Sequence, residues 1–366
     1  MLTRFSVENF KNFEDKITWD LSNTNNYGFN TQLISNETIT KGLIYGPNGS
    51  GKSNLGLALF DIILHLTDKE KLFDKYRIYL NLNSDKKFAT FEYVFKFDES
   101  ELIYQYKKEN ATTLLEERLF INGKEMIFFD FGKQQGFVLL EGAQNLNLIS
   151  DSPISRVKYV RSNAILVDNE ANQVFHKFMD FVERMLLFYS LDHRGYQGFC
   201  VGVEQVTKRI IEDHKTREFQ EFLGENGIEY ELIEDSFDEE KILLCDYKKG
   251  KANFLSIAST GTLSLSLFYY WYIRFQSASL VFIDEFDAFY HFEISTNIIK
   301  LLRGLKNQIF LTTHNTDLMS NDLLRPDCYF IISNNKIRSL SDSTSKELRM
   351  AHNLQKMYKA GAFDEE

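Results

Sequence analysis

Residues 45–54 read Tyr45-Gly46-Pro47-Asn48-Gly49-Ser50-Gly51-Lys52-Ser53-Asn54 and match the pattern G-x-x-x-x-G-K-[ST]. The apolar run that precedes the loop, Leu43-Ile44-Tyr45, predicts a buried strand. The apolar residues that follow it recur at helical spacing: Leu55, Leu59, Ile62, Ile63 and Leu66. Because a strand and a helix flank the loop, a chance match in a glycine-rich turn is disfavoured.

A strand, a glycine-rich loop and a helix in this order have the chemistry of a phosphate site. Glycines let successive backbone N–H groups turn inward around a phosphate, and the helix N-terminus adds partial positive charge. Lys52 is predicted to reach the β and γ phosphates, and Ser53 to hold Mg²⁺ through its hydroxyl. The chain is therefore predicted to bind a nucleoside triphosphate. The predicted nucleotide-binding residues of the loop are Gly46, Asn48, Gly49, Ser50, Gly51, Lys52, Ser53 and Asn54.

The composition is that of a globular chain. Its 366 residues, 43% of them apolar, suit two domains or one domain with a sizeable insertion. The N-terminus has no apolar region of signal-peptide type, and no run approaches the roughly 18 to 20 apolar residues of a spanning helix. We therefore expect a cytoplasmic protein with no membrane partner. Cys200, Cys245 and Cys328 are far apart and odd in number, which argues against a disulfide framework or a zinc site.

The formal net charge of −10 bears on possible partners. It disfavours indiscriminate binding to nucleic acid, because such binding depends on Lys and Arg neutralising phosphates. A local basic groove is still compatible with this charge, so nucleic acid is not excluded as a partner.

The first two thirds of the chain change from strand to helical patterning. Residues 2–8 and 16–21 are predicted strands, and residues 88–140 an antiparallel meander in which Asn122-Gly123 marks a hairpin. Between 168 and 224 we expect helices that interrupt the nucleotide-binding fold. Packing within the domain and docking of another subunit are equally good interpretations of these helices. The first of them is predicted to contain Val174, Phe175, Phe178, Met179, Phe181, Val182, Met185 and Leu186.

The last third returns to α/β order. The runs 280–283 and 309–312 are apolar enough to be central parallel strands buried on both faces, with a helix at about 291–306 between them. A terminal hairpin is predicted around Asn334-Asn335.

Asp284 and Glu285 follow the first of these central strands, at the sheet edge where ligands bind in open α/β sheets. Asp284 is suited to hold Mg²⁺, and Glu285 to polarise the water that attacks the γ phosphate. An acidic turn is common after a strand, but a phosphate loop upstream favours the functional interpretation. His314 follows the next strand and is expected at the same edge, within reach of a γ-phosphate oxygen.

The segment Ala258-Ser259-Thr260-Gly261-Thr262 leads into an aromatic-rich helix. Its hydroxyls and backbone donors cluster at a helix N-terminus, which is a second candidate anion site. Taken alone, the segment is better interpreted as the N-cap of a core helix.

The order of these motifs resembles that of ABC-type ATPases of the SMC, RecF and OLD group. The resemblance is closer to compact stand-alone ATPases of bacterial abortive-infection and antiphage systems. It begins at Asn9-Phe10-Lys11-Asn12-Phe13 and continues through the loop at residues 46–54, and it covers nearly the whole chain. The implied fold is an α/β P-loop NTPase of ABC type, with a mixed central sheet, an antiparallel β subdomain and a short helical insertion. The implied divisions are 1–167 and 225–366 for the two halves of the ATPase head, with the insertion at 168–224.

The resemblance also implies roles for individual residues. Ser259 and Gly261 would belong to the signature motif and contact the γ phosphate bound by a partner subunit. Asp284 and Glu285 would be the Walker B pair, with Asp284 a metal ligand beside Ser53. The implied catalytic residues are Glu285, His314 as the switch histidine, and Lys52, and Asp287 matches the D-loop aspartate of the nucleotide site. No glutamine after the first helix identifies itself as the Q-loop residue.

ATP and Mg²⁺ are the ligands implied by the resemblance, and a homodimer or higher homo-oligomer that encloses ATP is the implied assembly. No H-N-H spacing, Ser-His-Asp or Cys-His arrangement or zinc-ligand cluster is recognisable, so the expected output is control of a separate effector protein, a nuclease or toxin, in antiphage defence. A RecF-like or SMC-like ATPase acting on DNA is the main alternative. A kinase or GTPase ranks last, because the chain has no N-K-x-D element for guanine.

Overall fold

The computed structural model describes residues 1–69, 73–149, 152–189, 196–198, 206–237 and 240–364. The strands of these residues are β1 Leu2–Glu8, β2 Ile17–Asp20, β3 Ile34–Ser35, β4 Thr38–Ile39, β5 Lys41–Tyr45, β6 Ala89–Phe97, β7 Ser100–Lys108, β8 Leu114–Ile121, β9 Lys124–Asp130, β10 Gln135–Val138, β11 Met185–Tyr189, β12 Tyr196–Gly198, β13 Leu232–Phe237, β14 Glu240–Tyr247, β15 Gly250–Asn253, β16 Leu280–Asp284, β17 Gln308–Thr313, β18 Tyr329–Ser333 and β19 Lys336–Ser339. The α-helices are α1 Lys52–Phe60, α2 Ile63–Leu66, α3 Arg156–Asn163, α4 Glu170–Glu183, α5 Val206–Glu212, α6 Thr216–Glu225, α7 Phe254–Ile257, α8 Thr260–Tyr272, α9 Phe292–Arg303 and α10 Leu354–Lys359.

The central sheet has the order β12-β11-β16-β17-β5-β18-β19. Its five inner strands are parallel, and the edge strands β12 and β19 pair antiparallel. Every residue of β5, β16 and β17 is buried, as expected of parallel strands covered on both faces. The predicted mixed central sheet is confirmed. Because β5, β16 and β17 are parallel, the loops that follow them meet at one edge of the sheet.

A second seven-stranded sheet, β10-β9-β8-β7-β6-β1-β2, is antiparallel throughout and contains the predicted meander. The predicted hairpin at Asn122-Gly123 is present, and both residues have positive φ, 49° and 76°. This is the backbone that a two-residue turn of type I′ requires.

The two sheets are joined by buried side chains. Trp19 of β2 packs edge-on against Phe310 of β17 and Phe330 of β18, with ring centroids 4.6 and 5.5 Å apart. Gln308 is fully buried, and its side-chain amide accepts from the Leu2 N–H and donates to the Leu2 carbonyl, both at 2.8 Å. The antiparallel sheet is thereby held on the sheet that carries the phosphate loop.

One sequence prediction is wrong in its detail. The helical pattern predicts Met185 and Leu186 in a helix, but α4 ends at Glu183 and both residues lie in β11, next to β16 in the central sheet. The run Met-Leu-Leu-Phe-Tyr at 185–189 is apolar at every position, so its periodicity does not distinguish a buried strand from a buried helix. The structure also contains a three-stranded sheet, β13-β14-β15, that the sequence patterns did not reveal. The domain boundaries at 167 and 224 stay a prediction.

Cys245 and Cys328 are buried free thiols, and Cys200 lies outside the described residues. In the described part of the chain, no helix combines the length and the apolar character needed to cross a bilayer.

A buried ion pair connects α1 to the antiparallel sheet. Asp61 follows α1, and Lys108 of β7 donates to its carboxylate at 2.9 Å; neither side chain is exposed. The Tyr79 and Tyr106 hydroxyls also donate to this carboxylate, each at 2.9 Å. Burial lowers the pKa of Lys108, and the Asp61 carboxylate opposes this change. The helix behind the phosphate loop is therefore anchored by an ion pair that water does not reach.

Replacing Lys108 by alanine is expected to lower the free energy of unfolding by about 3–5 kcal/mol, because the Asp61 charge would remain buried without its cation. Lys133→Ala is the matched control, since Lys133 pairs with Asp130 at the surface with 74% of its side chain exposed. The control should change stability by less than about 1 kcal/mol. Urea unfolding of both variants measures the difference, and equal stability would show that the buried pair is not an anchor.

Candidate functional site

The phosphate loop joins β5 to α1 at the carboxyl edge of the central sheet. Gly49 and Gly51 have φ of 78° and 104°, which an L side chain rarely adopts. A Cβ at Gly51 would lie 2.5 Å from Nδ2 of Asn12, and one at Gly46 would lie 2.6 Å from the Ile332 carbonyl oxygen. The loop therefore requires glycine for its backbone and for close packing. The Ser50 hydroxyl is buried in it and has no hydrogen-bond partner in the described part of the chain.

Lys52 begins α1, and its side chain turns back over the loop. Its ammonium donates to the Gly46 carbonyl at 2.9 Å and to Nε2 of His314 at 3.0 Å. Burial lowers the pKa of Lys52, while the carboxylates of Glu285 and Asp284 raise it. The cation is thus held between the loop and the residues that follow β16 and β17.

The Asp284 carboxylate is buried, with 9% of the residue exposed. The Thr312 hydroxyl donates to Asp284 Oδ1 at 2.7 Å, and the Ser53 hydroxyl also hydrogen-bonds to Asp284. Burial raises the pKa of Asp284, and these two hydrogen bonds lower it. Ser53 and Asp284 thus bring a hydroxyl and a carboxylate together, the oxygen ligands that Mg²⁺ prefers.

The donor set fits a metal ion held jointly with phosphate. No group of three or more His, Cys, Asp or Glu side chains within the described ranges could hold a metal ion by itself. Mg²⁺ in nucleotide sites is commonly bound by one or two protein oxygens together with substrate phosphates and water. Ser53 and Asp284 therefore match this kind of site.

Glu285 has a left-handed backbone, with φ of 47°. Its N–H donates to the Thr312 hydroxyl at 2.7 Å, and its Oε1 lies 3.3 Å from Nε2 of His314. Non-glycine residues in this conformation are uncommon and are often found at functional sites. The Glu285 carboxylate thus lies beside the imidazole of His314.

These residues surround one open cavity of about 550 Å³. Its size is in the range of small-molecule sites. The cavity is lined by Asn48, Gly49, Gly51, Lys52, Ser53, Asn54, Glu285 and His314. The structure therefore brings together predicted residues that are up to 266 positions apart in the sequence.

Asp287 lies just beyond the cavity. The Thr313 hydroxyl donates to Asp287 Oδ2 at 2.8 Å, and the Asn315 side chain hydrogen-bonds to it as well. Burial raises the pKa of Asp287, and these bonds lower it. Asp287 therefore ties the turn after β16 to the turn after β17.

The structure places Ser259 and Gly261 apart from this cavity. Ser259 is exposed and caps α8, with its hydroxyl accepting from the Thr262 N–H at 3.1 Å. Gly261 packs near the Phe289 carbonyl oxygen, which would lie 3.1 Å from a Cβ. Neither residue lines the cavity. Within one chain, the segment 258–262 thus presents a helix N-terminus at the surface.

Two residues of the candidate site, Thr312 and Asn12, are not predicted by the sequence patterns. Thr312 is fully buried and orients both Asp284 and Glu285. A hydroxyl at the end of an otherwise apolar strand could have drawn attention to it. Asn12 accepts from the Asn54 side chain at 2.6 Å and packs on Gly51, a contact between the N-terminal loop and the phosphate loop that no local pattern reveals.

The family model described as "AAA domain, putative AbiEii toxin, Type IV TA system" matches residues 43–320, more than half of the chain. The chain belongs to this family. Family membership, together with the mixed sheet and the phosphate loop, confirms the predicted α/β P-loop ATPase fold and the resemblance to ATPases of abortive-infection systems. No curated protein matches the chain in sequence.

Solved structures similar to this AAA-domain chain include SMC heads and RecF. The SMC head domain from Thermotoga maritima is 14% identical, with 92% of this chain and 97% of that chain covered and a TM-score of 0.44. The recombination mediator protein RecF is 16% identical, with 93% and 98% covered and a TM-score of 0.41. The Smc head bound to the C-terminal domain of ScpA, from Pyrococcus furiosus, is 12% identical, with 98% of both chains covered and a TM-score of 0.44.

Proposed function

We propose that this chain is an ATP-binding and ATP-hydrolysing switch of the ABC type. The observation that carries the proposal is the cavity in which Lys52, Ser53, Glu285 and His314 converge. It combines a phosphate loop, a Ser53–Asp284 pair suited to Mg²⁺, and the Glu285 carboxylate, which is not part of that pair. These are the parts that phosphoryl transfer to water requires.

The proposed roles follow from the geometry. The loop N–H groups and Lys52 bind the phosphates, and the Lys52 ammonium stabilises the negative charge that develops on the γ-phosphate side. Ser53 and Asp284 would hold Mg²⁺, which when bound would neutralise charge on the phosphate oxygens. Glu285 orients and polarises the attacking water, and His314 donates to a γ-phosphate oxygen.

A second copy is proposed to complete the site. Ser259 is exposed and Gly261 is partly exposed, and both lie outside the cavity of their own chain. At α8 they present a hydroxyl and a helix N-terminus, a combination that favours an anion. Two chains related by a two-fold axis could each offer this segment to the triphosphate of the other, so that ATP holds the dimer together. Hydrolysis or release would then loosen the dimer.

The proposed output is control of a separate effector, a nuclease or toxin, in antiphage defence. The description of the family names a toxin and a type IV toxin–antitoxin system, which supports a setting of this kind. The net charge of −10 favours a protein partner over nucleic acid. Affinity capture of the tagged chain with ATP, in a nuclease-treated and an untreated lysate, tests the output. A captured protein supports effector control, whereas captured DNA favours a RecF-like role and overturns it.

Ser259→Arg is expected to block ATP-dependent dimerisation while leaving ATP binding to the single chain within about twofold. The long side chain would occupy the surface offered to the neighbouring triphosphate. Light scattering of the purified chain with ATP measures the dimer, and titration with a fluorescent ATP analogue measures binding. A dimer that forms as in the wild type would remove the segment 258–262 from the interface.

Two further variants separate this effect from helix capping. Ser259→Asp keeps an N-cap acceptor but places negative charge against the triphosphate, so it should also prevent the dimer. Ser277→Arg makes the same change as Ser259→Arg at an exposed serine beyond the other end of α8, and it should dimerise normally.

A further inference from the structure

A cation lies on the side of Asp284 opposite to the phosphate loop. Tyr189, the last residue of β11, is the register partner of Asp284 in the neighbouring strand β16. The Lys75 ammonium lies over the Tyr189 ring, 5.1 Å from its centroid. Burial lowers the pKa of Lys75, and the Asp284 carboxylate raises it, so the two charges interact. Lys75 is thus a second lysine, after Lys52, whose charge Asp284 influences.

The Tyr189 hydroxyl points to a ligand at this place. Tyr189 is 4% exposed, and its hydroxyl is buried with no hydrogen-bond partner among the residues that the structure describes. A tyrosine hydroxyl is protonated at neutral pH and is therefore a hydrogen-bond donor. A buried donor without an acceptor costs free energy unless a bound group satisfies it.

A third positively charged side chain, that of Lys11, is held near Lys75. The Lys11 ammonium donates to the Lys75 carbonyl at 2.7 Å and to the Ile78 carbonyl at 3.0 Å. Burial lowers the pKa of Lys11, and the neighbouring Lys75 ammonium lowers it further. Two like charges kept together, beside a buried hydroxyl donor, form a setting that favours an anion.

We propose that Lys75 and Tyr189 form a second set of phosphate-binding donors, which contacts the γ-phosphate end of the triphosphate and so distinguishes ATP from ADP. Lys75 and Tyr189 lie behind the residues that line the cavity: Ser53 lines it and hydrogen-bonds to Asp284, and Asp284 is the register partner of Tyr189. The four-carbon stem of Lys75 gives its ammonium the reach to move from the Tyr189 ring to the phosphate. This inference rests on the proposed function, because it assigns residues to the same nucleotide site.

Equilibrium binding of fluorescent ATP and ADP analogues tests the assignment. The titrations use the Glu285→Gln background to suppress turnover, and each is made with Mg²⁺ and with EDTA. Lys75→Met should weaken ATP binding about tenfold and ADP binding less than twofold in both buffers. Tyr189→Phe should weaken ATP binding about threefold, since one neutral donor is removed. The controls Lys133→Met and Tyr247→Phe change exposed residues of the same types and should bind as the parent does.

Three other outcomes of these titrations would overturn the assignment. Unchanged ATP affinity in Lys75→Met, with the parent binding ATP, would overturn the role of Lys75 and leave the proposed ATPase standing. A loss confined to the Mg²⁺ buffer would also overturn it, because Lys75 would then act through Asp284 and the ion. A parent chain that binds neither nucleotide would overturn the proposed function together with this inference.

Discussion

Lys52→Ala is expected to weaken ATP binding by at least about 100-fold, to below detection in a micromolar titration. Lys52 is 4% exposed, and its ammonium lies between the Gly46 carbonyl and His314 and interacts with the carboxylates of Glu285 and Asp284. Its loss removes the cation that meets the phosphates and leaves these carboxylates to repel them. Isothermal titration with ATP and Mg²⁺ measures the effect.

The control for this change is Lys133→Ala, which removes an exposed lysine far from the loop in sequence and should bind ATP normally. Thermal unfolding without nucleotide shows whether Lys52→Ala remains folded. A folded Lys52→Ala chain that binds ATP as tightly as the wild type would show that the cavity is not the triphosphate site.

Glu285→Gln is expected to preserve ATP binding, to lower the rate of hydrolysis by about 100-fold or more, and to accumulate the ATP-bound dimer. Glutamine has the same shape as glutamate but cannot accept the proton of the attacking water. The backbone at 285, with φ of 47°, is no harder for glutamine to adopt than for glutamate, so the fold should be unaffected. Phosphate release measures turnover, and light scattering with ATP measures the dimer.

Glu101→Gln, at an exposed position of β7, is the control and should hydrolyse ATP at the wild-type rate. A Glu285→Gln chain with wild-type turnover would exclude Glu285 as the residue that polarises water. A variant that is inactive yet stays monomeric with ATP would retain the catalytic role and remove ATP as the link between two chains.

Much of the fold was predictable because its signals are local. The phosphate loop is identified by the spacing of its glycines and by the lysine that follows them. The apolar runs at 280–283 and 309–312 are typical of buried parallel strands. The hairpin turns at Asn122-Gly123 and Asn334-Asn335 depend on residues that tolerate positive φ, which the sequence shows directly. The strand at 185–189 was missed because an apolar run without polar interruptions has no readable period.

The candidate site was predictable only in part. Lys52, Ser53, Glu285 and His314 could be named in advance because each follows a strand end or a glycine loop. Thr312, Asn12, Tyr189 and Lys75 could not be assigned, because their importance depends on contacts between segments that are distant along the chain.

By itself, the amino-acid sequence determined the phosphate loop, the order of strands and helices around it, and the residue types available to a triphosphate. Only the tertiary structure established that Thr312 bonds both the Asp284 carboxylate and the Glu285 backbone N–H, that Ser259 faces solvent, and that the Lys75 ammonium lies over the Tyr189 ring. The physical reason is that local backbone preferences and periodicity act over a few residues. The direction and the partner of a side chain depend instead on which strands become neighbours when the sheet forms.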